Sequence, residues 1–323
     1  MPDQLTQYNN AITDLAVFDL GPRTQIELRG SDRLSFLHNF CTNDIKKLRP
    51  GEGCEAFLTN IKGRIIGHII VSATDDSLWI DSVPGSNEFI ASHLDKYLIT
   101  EDVTINDHTG ENTLCLIGPH ALGWLSNQSC ETNRLPMWGQ LPAKLFEREV
   151  IIRRVGFTLS DAYEIISVDF RFVVFWDGSI DAGATPGSKE VFDSLRIEAG
   201  FPLYGIDITD ANIAQEAGRT SQAISFNKGC YLGQEPIARL DALGHVNKQL
   251  RTLQIDGGPV PFHGSAVTLK SGEEAGHITS AVLSPSTGHP IALAMLKSTA
   301  QSPDIELTVG TASATLLPNT KVT

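Results

Sequence analysis

Phe226-Asn227-Lys228-Gly229-Cys230-Tyr231-Leu232-Gly233-Gln234-Glu235 gathers a cation, a thiol, a phenol, an amide and a carboxylate into one short segment. Gly229 and Gly233 flank the thiol-bearing part. Glycine accepts backbone geometries that other residues resist and lets another segment approach closely. Pro236 follows at once and lacks a backbone donor, so no regular helix or central strand is expected through this point. The segment reads as a shaped loop that presents side chains. Cys230 stands two residues after Lys228. An ammonium beside the sulfur would favour the thiolate, the reactive form of cysteine. The plainer alternative is a small buried cysteine with no chemistry, which is how most free cysteines occur. A packing cysteine, however, has no need of two glycines, a lysine and a Gln-Glu pair around it.

The run Lys228-Gly229-Cys230-Tyr231-Leu232-Gly233-Gln234-Glu235 resembles the signature of the YgfZ family of folate-binding proteins. That family is linked to iron–sulfur cluster assembly and repair. It is related to the glycine-cleavage T-protein, an aminomethyltransferase, which has a Gly-containing turn here but lacks the cysteine. The resemblance makes Cys230 and Lys228 the catalytic candidates and places Tyr231, Gln234 and Glu235 at the cofactor, tetrahydrofolate or a derivative. It extends over nearly the whole chain. It implies an α+β, T-protein-like, three-lobed fold: two interleaved ferredoxin-like α/β subdomains plus a C-terminal β-barrel, around a central folate pocket.

Outward from the signature, the two sides differ. From Leu250 onward the chain reads as short strands, Leu250–Ile255, Ala266–Leu269, Ala275–Leu283, Ile291–Leu296, Ile305–Val309 and Ala314–Leu317, separated by turn residues. Short strands at regular spacing without helices predict a small barrel or sandwich. A soft boundary near His245–Gln249 gives residues 1–245 to the folate-binding α/β module and 246–323 to the barrel. Before the signature, strands and helices alternate without a strict βαβ rhythm, which suits an α+β module. Strands are predicted at Thr24–Leu28, Glu55–Leu58, Arg64–Ser72, Leu78–Asp81, Val103–Ile105, Thr113–Ile117, Val150–Val155 and Tyr163–Val168. Helices are predicted after Ser31 as N-cap, through Ile90, Leu94 and Leu98, from Ala121, and over Ser188–Ala199.

Other segments carry candidate ligands. Gly156-Phe157-Thr158-Leu159-Ser160-Asp161-Ala162-Tyr163-Glu164 is similar to a T-protein segment whose aromatic residue and final glutamate contact the pterin. By that resemblance Glu164 accepts the pterin N–H pair and Phe157 stacks on the ring, both chemically sound roles. Phe replaces the family's Tyr and both inner glycines are lost. Leu195-Arg196-Ile197-Glu198-Ala199-Gly200 resembles a stretch shared by both branches, which puts Arg196 at the folate. Its planar fork suits a pterin oxygen, the tail carboxylate or Glu164 itself. The T-protein's catalytic aspartate has no clean counterpart: Asp81 stands for its asparagine, and the aspartate position falls near Glu88. No catalytic acid is assigned, which weighs against aminomethyl transfer. Arg239 and Lys248 either surround the cysteine loop or are ordinary linker residues.

The formal net charge of −13 argues against direct nucleic-acid binding and against docking on anionic lipid. No apolar run is long enough to span a bilayer, and the polar N-terminus has no signal core. Cys41, Cys54, Cys115, Cys130 and Cys230 are odd in number and scattered, which suits the cytoplasm. Without a Cys-x-x-Cys pair or a metal-spaced histidine set, no metal site is expected. The expected function is tetrahydrofolate binding in support of iron–sulfur client enzymes or assembly factors, tRNA-modifying enzymes among the clients. The alternatives are a folate-dependent aminomethyltransferase and a cysteine hydrolase, for which His245 is the histidine nearest in sequence.

Overall fold

The computed structural model describes residues 1–110, 113–128, 130, 132, 135–167, 172–244 and 246–318. The chain opens with α1 (Gln4–Thr13), capped by the Asp3 carboxylate, which accepts from the Thr6 amide at 2.9 Å, and β1 (Ala16–Asp19). Next come β2 (Thr24–Arg29), α2 (Arg33–His38), the hairpin β3 (Gly53–Thr59) and β4 (Ile65–Ala73), β5 (Ser77–Ser82), α3 (Asn87–Asp95) and β6 (Thr104–Asp107). Strands β2 to β6 form one antiparallel sheet in the order β3-β4-β5-β2-β6.

The chain then returns to β1. It adds β7 (Leu114–Ile117), α4 (Ala121–Asn127), β8 (Gln140–Leu145), β9 (Arg148–Val155), β10 (Ala162–Ser167), α5 (Phe172–Asp181) and β11 (Thr185–Gly187). These make a second sheet, β11-β1-β7-β10-β9-β8. Because β1 belongs to this sheet, the whole first sheet is inserted between β1 and β7. That is the interleaving the family resemblance implied and local periodicity could not supply.

Helices α6 (Lys189–Glu198), α7 (Thr220–Ala223) and α8 (Gln234–Leu243) lead to the last lobe. There β12 (Lys248–Ile255), β13 (Ala266–Leu269), β14 (Glu274–Leu283), β15 (Pro290–Lys297), β16 (Leu307–Val309) and β17 (Ala312–Leu316) close into a barrel in the order β12-β15-β14-β13-β16-β17. Alternate residues such as Leu253, Ile255, Ile278 and Leu296 fill its interior, and closure leaves no free sheet edge.

Several expectations need correction. Pro236 does not keep helix away: it is the third residue of α8, within the first turn, where its missing donor has no intrahelical role. Ser31 does not cap α2; Asp32 holds that position, and the Ser31 hydroxyl donates to Asp102 instead. Helices α1 and α5 and strands β1, β8 and β11 were not foreseen. The predicted strand end at Val168 lies outside the described residues. Among the described residues, no helix is long and apolar enough to cross a membrane.

Candidate functional site

The registers of the two α/β sheets bring six polar side chains together. In the first sheet Gln25 on β2 stands opposite Asp81 on β5. In the second, Gln140, Arg153 and Glu164 lie side by side across β8, β9 and β10. Arg23 precedes β2. The faces that carry these residues meet, and none of the six is more than 7% exposed. Arg23 sets Nε and Nη2 on Asp81 as a fork, while its Nε lies 2.9 Å from Glu164 Oε1. Arg153 donates to Glu164 Oε2 at 3.0 Å and to Gln25 Oε1 at 3.2 Å, and it lies 3.3 Å from Asp81. Gln25 donates to Asp81 at 2.6 Å.

Two cations and two anions therefore sit inside the protein, and only such pairing makes their burial tolerable. The balance is uneven at Glu164. Its Oε1 has the Arg23 nitrogen close by, but that N–H is directed at Asp81, so the oxygen accepts no hydrogen bond. Burial, and then the Asp81 charge, push the Glu164 carboxyl up to about 7 against the pull of both arginines.

Aromatic rings wall this cluster. The Arg23 guanidinium lies 4.8 Å from the centre of the Phe157 ring, which packs 4.9 Å from Phe201 and 5.8 Å from Trp138. Phe201 stacks on His68 at 5.2 Å. His68 Nε2 lies 2.8 Å from Glu55, which also takes a two-pronged contact from Arg219 at 2.9 and 2.5 Å. Burial raises the Glu55 carboxyl, but Arg219 outweighs it and the group is held at about 2. A residual cavity of about 10 Å³ lies between Arg23, His68, Ile70, Phe201 and Leu203.

The signature forms a second place of interest. Lys228 is buried, and its Nζ donates to the backbone carbonyls of His38, Cys41 and Asn43 at 2.5, 2.6 and 2.8 Å. It also lies 4.7 Å over the Tyr231 ring. The Leu232 amide donates to Asn39 at 2.9 Å, and the Thr59 hydroxyl to the Leu232 carbonyl at 2.6 Å. Gly233 has φ +84, and a Cβ there would come 2.2 Å from the Asn60 carbonyl, so only glycine fits. Cys230 is exposed between these anchors.

Residues 5–228 match the GCVT N-terminal domain, and residues 248–322 match the glycine cleavage T-protein C-terminal barrel domain. The chain belongs to the glycine cleavage T-protein family. It is 31% identical over 308 residues to a protein of Nostoc sp. (strain PCC 7120) named aminomethyltransferase, covering 91% of this chain and 80% of that one. A protein of Deinococcus deserti with the same name is 29% identical over 298 residues, with 91% and 80% coverage. The crystal structure of glycine cleavage system aminomethyltransferase T from Bartonella henselae superposes with a TM-score of 0.86 at 20% identity, covering 97% of this chain and 87% of that one. The fold is thus the T-protein fold.

Within this T-protein-family chain the expected site residues divide into groups. Phe157 and Glu164 share the central cluster, with Glu164 inside β10 and fully buried. Arg196 does not join them. Its guanidinium donates to Asp193 at 2.6 Å, Asp207 at 3.0 Å and Ser280 at 3.0 Å, tying α6 to the barrel, so it is not the partner of Glu164. The expectation that Lys228 serves the Cys230 thiol is also corrected: the ammonium is committed to three carbonyls. Tyr231 is buried beneath that lysine, while Gln234 and Glu235 begin α8, with Glu235 exposed. Asp81 is fully ion-paired and Glu88 is exposed in the first turn of α3, so neither is a placed, free acid. Lys248 lies 3.8 Å from Glu216. His245 lies outside the described residues. The imidazole brought to the cysteine loop is His38, whose Nε2 lies 3.8 Å from where a Cβ on Gly229 would stand. Arg23, Arg153 and His38 were missed because their partners are distant in sequence and leave no local pattern.

Proposed function

We propose that this chain is a tetrahydrofolate-binding member of the T-protein family, of the YgfZ kind, that acts through Cys230 in support of iron–sulfur enzymes, tRNA-modifying ones among them. The observation that carries the reading is the mounting of Cys230: an exposed thiol on a loop fixed by a buried lysine and flanked by two glycines. A loop held so firmly presents its thiol to something outside the chain.

The central cluster supports the folate part. A buried carboxylate oxygen without a hydrogen bond, on Glu164, and an aromatic face, Phe157, both lie against the Arg23 guanidinium. That donor-hungry, flat-walled corner matches the N–H edge and flat face of a pterin. Glu164 would accept from the pterin edge, Phe157 would stack on the ring, and Phe201 and Trp138 would keep water out. When bound, tetrahydrofolate supplies reduced ring nitrogens that carry one-carbon units. The protein's part is to hold, orient and desolvate it.

A second reading is folate-dependent aminomethyl transfer of the T-protein type. Kinship across nine-tenths of the chain to proteins named aminomethyltransferase favours it directly. Against it stands the pairing of Asp81 with two arginines and the exposure of Glu88 away from the cluster, which leave no placed acid at either position. The test is Cys230→Ser in a cell lacking the native protein, with calorimetric titration of tetrahydrofolate alongside. Serine stays protonated at neutral pH and is a weak ligand for soft metals. Near-normal stability and folate affinity with failed maintenance of an iron–sulfur enzyme is the expected result. Full complementation by the serine variant would refute the thiol's role.

A further inference from the structure

Arg23 has the chemistry of the ligand proposed for its own corner. Its guanidinium is flat and lies 4.8 Å from the centre of the Phe157 ring. It offers two N–H donors as a fork to one carboxylate, Asp81, and reaches 2.9 Å from another, Glu164 Oε1. The aminopyrimidine edge of a reduced pterin is likewise a flat carbon–nitrogen system with a fork of N–H donors, suited to a carboxylate and an aromatic face. The two cannot share the place. Only about 10 Å³ remains beside the guanidinium, room for a single water molecule, whereas small-molecule sites begin at about 300 Å³.

The residues left behind are equipped for its departure. Asp81 keeps the Gln25 amide at 2.6 Å and Arg153 at 3.3 Å, and Glu164 keeps Arg153 at 3.0 Å. Arg23 stands at the end of the short link between β1 and β2, two residues after Gly21, which has φ +73.

We propose that Arg23 is a self-ligand that occupies the pterin seat in the resting protein and must swing out before tetrahydrofolate enters. This rests on the folate reading above. The affinity of the intact protein is then lower than the seat's own affinity by the fraction of time the arginine is out.

The experiment is calorimetric titration and stopped-flow binding of tetrahydrofolate to the wild type, Arg23→Met and Arg23→Gln. The glutamine variant keeps a neutral amide donor for Asp81, should the methionine variant fail to fold. The folded variants should bind at least tenfold more tightly than the wild type. The wild-type binding rate should level off at high folate while theirs keeps rising. If the wild type binds and folded Arg23 variants bind equally or more weakly, the self-ligand proposal is overturned and the folate reading stands. If neither the wild type nor the variants bind, the folate reading itself is refuted and this inference falls with it.

Discussion

Replacing Lys228 with Met tests what the lysine is for. Methionine keeps most of the apolar stem against Tyr231 but removes the donor from three carbonyls, two buried and one, of Asn43, half-buried. A hydrogen bond from a charged group is worth about 1.5–3 kcal/mol, but these three share one ammonium and are not additive. The Asn43 carbonyl keeps a second donor, the Ile45 amide at 3.2 Å, which softens the loss. Burial also pulls the Lys228 pKa down, so part of the gain is already offset by desolvation. The expected net loss is about 2–4 kcal/mol. Urea unfolding followed by tryptophan fluorescence measures it by linear extrapolation. A loss under about 1 kcal/mol would refute the clamp. Alkylation of Cys230 under native conditions separates the two roles of the lysine. A loosened loop should label as fast as the wild type or faster; slower labelling would mean that the ammonium serves the thiol after all.

Glu55, held at about 2, contributes stability that is complete above the ordinary carboxylate value and is lost as pH falls toward 2. The difference amounts to about 3 kcal/mol, and urea midpoints of the wild type and Glu55→Gln between pH 3 and 7 should converge on the acid side. Glu164 runs the other way: held up to about 7, it makes the fold more stable as pH falls from about 7 toward 5, and Glu164→Gln should flatten that limb. The same variant should weaken tetrahydrofolate binding by about 1–3 kcal/mol by calorimetry; unchanged affinity would take Glu164 out of the pocket. Gly233→Ala combines a positive φ with a 2.2 Å collision and should cost more than about 2 kcal/mol in urea unfolding. With an aminomethyl-lipoyl carrier and tetrahydrofolate, no methylene transfer is expected, and steady multiple turnover would reinstate the enzyme reading.

The barrel was legible because its strands follow one another at regular spacing without helices and are separated by turn residues such as Gly257-Gly258 and Ser271-Gly272. The interleaving was not, since nothing in Ala16–Asp19 says that its neighbours are Leu114–Ile117 and Thr185–Gly187. Glu164 was legible as a candidate only through the resemblance. Alternation along its strand does not separate an exposed face from one that meets a second sheet. The same blindness hid Arg153, whose contact with Gln25 spans 128 residues. Lys228 misled for a related reason. Proximity to Cys230 in sequence suggested a pair, whereas the carbonyls that hold it belong to the end of α2 and the turn beyond it.

The Lys228 clamp also has a timetable. Its ammonium and its three carbonyls are 185 to 190 residues apart. At a synthesis rate of 5–20 residues per second, the turn at His38–Asn43 waits roughly 10–40 s on the ribosome before the lysine that completes it is made. During that interval the first sheet can pair its strands, but the seat of the cysteine loop stays unfinished. Cys230 follows Lys228 by two residues, so the thiol is translated only after its anchor. The exposed thiol is thereby withheld from the nascent chain until both α/β sheets have been synthesised.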